Sequence, residues 1–196
     1  MNNKVLWVGG IHGVGKSSSL KHVCSLDPAI ECVYLGRLFY ERVNELNMSW
    51  AELTDPNKLL EIESYVTDQL VSKINKSGIV LDAHFCININ GQVYPGFHAH
   101  NLKDLFSRSH VRKGLVHLIA DTGIVLKRRS GNTKKFRAYP EISSPEQIVQ
   151  ETLESSKYFN YFEDALSPEV FSTTIDTSSN SIEEVGKELV EVYHAI

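Results

Sequence analysis

The residues Gly10-Ile11-His12-Gly13-Val14-Gly15-Lys16-Ser17 follow the pattern G-x-x-x-x-G-K-[ST], the signature of a phosphate-binding P-loop. Gly10, Gly13 and Gly15 allow turns that side chains forbid. The N–H groups of the loop, through Val14 and on to Ser18, then face inward and form an anion nest at a helix N-terminus. Lys16 is placed to reach the β- and γ-phosphates of a nucleotide, and the Ser17 hydroxyl to ligate Mg²⁺. His12 reads as a spacer at the mouth of the loop, valued for its backbone. A second candidate is Asp82, which closes the apolar run Ile79-Val80-Leu81. An acidic residue at the end of a buried strand is where P-loop enzymes place their second Mg²⁺-linked carboxylate. The group Lys127-Arg128-Arg129, followed by the polar, basic stretch 130–137, reads as a lid that closes on phosphates.

These groups need a scaffold of strand, glycine turn and helix, and the flanking sequence supplies one. Val5-Leu6-Trp7-Val8 reads as a buried strand and 18–26 as a helix. Further strands are expected at 31–35, 79–82, 114–120 and 170–175. Asp55-Pro56 starts a helix, with Asp as N-cap and Pro in the first turn. Leu59, Ile62, Val66, Leu70 and Ile74 recur every three or four residues, so one face of that helix is buried, and Gly78 is expected to stop it. The segment 85–101, with Gly91, Pro95 and Gly96 and no Lys or Arg, reads as an irregular loop over the site. Ser144-Pro145-Glu146-Gln147 is a capping box, and Ser181 to Glu184 caps a last helix whose expected inner face is Ile182, Val185, Leu189 and Val192. Strands alternating with helices predict a single α/β domain over 1–196: a P-loop, three-layer α/β/α arrangement around a five-stranded parallel sheet. Ligands then bind at the carboxyl ends of the strands.

Composition narrows the class. The 196 residues suffice for one core, and a formal net charge of -4 argues against general nucleic-acid binding. No apolar run has the length of a membrane span, and the start of the chain has no signal-peptide core. The three cysteines, Cys24, Cys32 and Cys86, lack metal-ligand spacing. They are expected to be reduced thiols in a cytoplasmic protein, with Cys24 and Cys32 as small core residues.

Several of these residues together resemble the nucleoside monophosphate kinases, and most of all the archaeal type of adenylate kinase. The resemblance rests on Gly10 to Ser17 with Ser18, on Gly36 after the second strand and on Val80-Leu81-Asp82-Ala83-His84. It rests also on Gly91 to Phe97, and on Arg128-Arg129 with Lys135-Phe136-Arg137. It implies an acceptor-binding helical segment over 37–77, a short lid over 128–142, and phosphoryl transfer from ATP·Mg²⁺. In that scheme Lys16, Asp82, Arg128, Arg129 and Arg137 act on the transferring group, and Ser17 and Asp82 hold the metal. Arg128 also stacks on adenine. Gly36, Arg37, His84, Pro95 and Gly96 bind the acceptor, for which a nucleoside monophosphate leads. Archaeal adenylate kinases tend to form trimers, so a homo-oligomer stays open. The chain departs from the family by lacking arginine in 47–57 and in 85–101, where a phosphate acceptor would be clamped. Arg37 and Arg42 read equally well as surface salt-bridge partners. A neutral hydroxyl acceptor, with Asp82 or His84 as proton acceptor, is one alternative, and a nucleotide-binding switch or slow ATPase is another. His98 and His100 have H-x-H spacing without an evident third metal ligand.

Overall fold

The computed structural model describes residues 4–49, 52, 55–89, 92–109, 111–131, 144–166 and 169–196. Seven strands and seven helices occur among them: β1 Lys4–Gly9, α1 Lys16–Leu26, β2 Glu31–Tyr34, α2 Leu35–Glu45, α3 Pro56–Ile74 and β3 Ile79–Asp82 lead. After them come β4 Cys86–Ile89, β5 Gln92–Pro95, α4 Ala99–Ser109, β6 Arg112–Ile119, α5 Thr122–Ser130, α6 Pro145–Leu166, β7 Val170–Asp176 and α7 Ile182–Ala195. Five parallel strands form one sheet in the order β2-β3-β1-β6-β7. Because side chains alternate along a strand, Val5 and Trp7 of β1 enter one core, shared with Ile62, Val66 and Leu70 of α3, Leu102 of α4 and Phe162 of α6. Leu6 and Val8 enter the opposite core, with Leu20 and Val23 of α1 and Leu189 of α7. The sheet is thus covered on both faces, which is why its inner strands β1 and β3 read as continuous apolar runs. Among the described residues no helix is long and apolar enough to cross a membrane.

Local signals hold where short-range chemistry decides. Asp55 caps α3 by accepting from the Asn57 amide, and all five apolar positions of its expected face are buried. Ser144 and Gln147 exchange hydrogen bonds at 3.2 and 2.8 Å, and Ser181 with Glu184 completes a capping box on α7.

Five expectations are corrected. The segment 85–101 is no irregular loop: β4 and β5 pair antiparallel, and α4 begins at Ala99. Strands of four residues are too short to show a period, and Pro95 ends its strand, where the lost N–H costs nothing. Gly78 does not stop α3, which ends at Ile74 with Asn75 as C-cap. A Cβ at Gly78 would fall 1.7 Å from the Tyr193 hydroxyl, so close packing explains the glycine. Leu35 belongs to α2 rather than β2, which puts Gly36 inside the first turn of that helix. On α7, Ile182 is exposed and Tyr193 takes a place in the core. Finally, Cys24 and Cys32 are joined in a disulfide, their Cα atoms 6.3 Å apart, and only Cys86 is free.

Candidate active site

The P-loop leaves β1 and enters α1 through left-handed backbone, with φ of 142° at Gly10 and 104° at Gly15. A Cβ at Gly10 would meet the Leu118 carbonyl oxygen at 2.4 Å, so only glycine fits there. Gly15 is the N-cap of α1 and no side chain caps it, which leaves the first amides to an anion. Lys16 is buried, and its Nζ donates to the carbonyls of Gly10 and Ile11 at 2.7 and 2.9 Å. The ammonium thus lies across the mouth of the loop.

Asp82 ends β3, in register with Val8 of β1, and comes to the loop through that pairing. Ser17 Oγ donates to Asp82 Oδ2 at 2.5 Å. These two oxygens, 65 residues apart in sequence, share one spot and fit a hard divalent cation that completes its shell with phosphate and water. Among the described residues no group of three or more His, Cys, Asp or Glu could hold a metal by itself. His84, two residues on, donates from Nδ1 to the Gly10 carbonyl at 3.0 Å.

Arg128 and Arg129 lie on α5, in its last turn, and their guanidinium groups are directed at the loop. Arg128 donates to the Val14 carbonyl at 3.2 Å, to Thr177 Oγ1 at 2.9 Å and to the Thr177 carbonyl at 2.6 Å. Thr177 Oγ1 donates in turn to the Val14 carbonyl at 2.8 Å. Arg129 Nε donates to the His12 carbonyl at 2.9 Å, while Nη2 pairs with Glu151 of α6 at 2.5 Å. Both arginines therefore hold P-loop carbonyls, and the role of His12 in these bonds is through its backbone.

The other candidates fall elsewhere. Ser18 is exposed on α1, its N–H bonded to the Gly15 carbonyl at 3.1 Å. Arg37 has 76% of its side chain exposed and pairs with Glu41 at 2.8 Å. Arg42 pairs with Glu45 and lies over the Tyr65 ring, and Lys58 pairs with Glu52. A Cβ at Gly36 would meet nothing within 4 Å. Pro95 ends β5, and the Gly96 N–H donates to the Phe85 carbonyl at 2.7 Å. Arg137 and the greater part of the lid, as well as Gly91, lie outside the described residues.

Sequence reasoning missed Thr177, Glu151 and His117. Thr177 and Glu151 carry no local signature. His117 does: a histidine inside the apolar run Leu115 to Ile119. It stands opposite Gly9 on the central strand, meets Ser155 Oγ at 3.0 Å and stacks on Phe159. Burial, aided by the charge of Lys16, pushes its pKa down to about 4. The Cys86 thiol is pushed up to about 11 by burial and by the carboxylates of Glu154 and Glu151, so it stays protonated and is no nucleophile.

No protein-family model matches this chain, and no curated protein matches it in sequence. Solved structures do match in fold. A shikimate kinase from Acinetobacter baumannii in complex with shikimate superposes with a TM-score of 0.59 at 15% identity, over 100% of this chain and 94% of that one. A shikimate kinase from Bacteroides thetaiotaomicron gives 0.59 at 13%, over 97% and 98%. A gluconokinase from Sinorhizobium meliloti 1021 gives 0.57 at 14%, over 99% and 93%. They support the broad part of the resemblance; closeness to archaeal adenylate kinases finds no support in these three. With its sheet order, glycine loop and helix placement, the chain has the fold shared by these P-loop kinases.

Proposed function

We propose that this protein transfers the γ-phosphoryl group of ATP·Mg²⁺ to a hydroxyl group of a small molecule. The observation that carries this reading is the meeting of Lys16, Ser17, Asp82, Arg128 and Arg129 on one loop at the carboxyl edge of the sheet. The loop amides and Lys16 bind and orient the phosphates. Ser17 Oγ and Asp82 would hold Mg²⁺, which when bound neutralises charge on the phosphoryl oxygens. Arg129, bonded to the His12 carbonyl of the loop, would supply a guanidinium that stabilises the charge that spreads in the transition state. Asp82, or His84 two residues on, would take the proton of an attacking hydroxyl.

The acceptor preferred on the resemblance, a nucleoside monophosphate, gives way to the hydroxyl alternative. A phosphate dianion needs cations held towards it. Arg37 and Lys58 instead carry surface ion pairs, Arg42 pairs with Glu45, and residues 85–101 contain neither Lys nor Arg. Neighbours whose names give shikimate and gluconate as acceptors favour the same reading.

The test is ADP release from ATP·Mg²⁺, alone and then with nucleoside monophosphates, nucleosides, sugars and polyols in turn. Stimulation by a hydroxyl compound and not by any monophosphate is expected. Lys16→Ala should lower that rate at least ~100-fold with the fold intact, because it removes a charge at the transferring group. Near-normal turnover in this variant would overturn the mechanism.

A further inference from the structure

We propose that Glu151 is the positioning residue of Arg129, its carboxylate fixing the guanidinium at the P-loop in the orientation that meets the transferring phosphoryl group. The proposal rests on the kinase reading above and adds one residue to its machinery.

Arg129 is held by two different elements. Its Nε donates to the His12 carbonyl of the loop at 2.9 Å. Its Nη1 and Nη2 donate to Oε1 and Oε2 of Glu151 at 3.3 and 2.5 Å. A paired fork of this kind fixes the plane of a guanidinium as well as its place. The stem is fixed too. A Cβ at Gly13 would fall 3.2 Å from Arg129 Cγ and 3.5 Å from its Nε, so the side chain lies along the loop itself.

Glu151 is a firm support because α6 is tied down on either side of it. Ile148, one turn before, is buried in the same core as Val14 of the loop and Val125 of α5. Ser155, one turn after, meets His117 at 3.0 Å, and His117 stands opposite Gly9, the residue before the loop.

Stability does not account for the carboxylate. With 42% of the Glu151 side chain exposed, the pair contributes little to folding. An anion beside a phosphate site also repels the nucleotide and offsets part of the arginine's charge. Arg128, the neighbouring arginine, is held by neutral oxygens alone in its bonds to Val14 and Thr177. What Glu151 adds is a single geometry for Arg129. Geometry matters at this place, because a shift of about 1 Å in a catalytic group can cost roughly 100-fold in rate.

The test is Glu151→Gln, which keeps the side-chain length and breaks the fork. With the hydroxyl compound that releases most ADP from the wild type, kcat should fall roughly 10–100-fold. Calorimetric affinity for a non-hydrolysable ATP analogue with Mg²⁺ should be no weaker than in the wild type, because a negative charge beside the phosphates has gone. A misfolded protein or a loosened loop would lose both together. In an Arg129→Ala background the same change should cost less than about 2-fold more, since Glu151 then has nothing to hold. The ¹⁵Nη resonances of Arg129, identified by their absence from Arg129→Ala, should be resolved in the wild type and coalesce in Glu151→Gln as the guanidinium begins to rotate. A kcat equal to or above that of the wild type, a loss confined to ATP affinity, losses that multiply in the double variant, or Nη resonances unchanged by Glu151→Gln would overturn the proposal. The two readings fail separately: no ADP from the wild type with any hydroxyl compound refutes phosphoryl transfer, whereas ADP release that survives Glu151→Gln undiminished refutes only the role of Glu151.

Discussion

Thr177→Val preserves side-chain size and removes one hydroxyl from the junction behind the P-loop. That hydroxyl donates to the Val14 carbonyl at 2.8 Å and accepts from Arg128 at 2.9 Å, in a residue 2% exposed. A neutral hydrogen bond contributes about 1 kcal/mol and one to a charged group about 1.5–3 kcal/mol. Arg128 keeps its bonds to the Val14 and Thr177 carbonyls at 3.2 and 2.6 Å, so the lower end applies. The expected loss is about 2–3 kcal/mol. In a domain of this size each kcal/mol moves the unfolding midpoint by roughly 2–4 °C, which gives a fall of about 5–10 °C. Calorimetric unfolding measures it. Titration with MgATP should show weaker binding as well, because Val14 is part of the phosphate loop. Thr177→Ser should restore both. A Thr177→Val midpoint within about 1 °C of wild type would refute the view that this junction sets the loop.

Other expectations can be checked alongside. Arg129→Ala should lower kcat by roughly 10³-fold or more, with a much smaller change in ATP affinity; a loss confined to ATP affinity would make Arg129 a binding group only. His117 has its pKa lowered from 6.5 to about 4 by burial, so between those values the unfolded chain binds a proton that the folded one does not. Stability should therefore fall as pH drops through that window, by up to about 3 kcal/mol from this group, and His117→Asn should flatten the dependence. Denaturant titrations across the window with the same slope in both proteins would count against it. Gly96→Ala places a methyl on the His84 carbonyl oxygen. It should cost at least about 1–3 kcal/mol and disturb acceptor kinetics more than ATP binding; unchanged denaturant and kinetic values would show that the segment yields freely.

How much could be read in advance depended on the range of the interaction. The hydroxyl and lysine of the P-loop lie within eight residues of its first glycine, and glycine sterics alone dictate the turn. The cap boxes at Ser144 and Ser181 span three residues and form as expected. Strands buried on both faces announce themselves as apolar runs. By contrast, the hairpin of Cys86–Ile89 and Gln92–Pro95 is too short for any period to show. A strand and a loop of four residues look alike until a partner is known.

The chain by itself determined the layered α/β architecture, the phosphate loop and the carboxylate at the end of β3, because each follows from backbone sterics or from hydrophobic period over a few residues. Only the tertiary structure decided which groups stand around that loop. Thr177 comes to Val14 across 163 residues, Glu151 to Arg129 across 22, and Cys24 to Cys32 by the packing of α1 against β2. These pairings depend on strand order and helix packing, and neither composition nor spacing encodes where two distant side chains will meet.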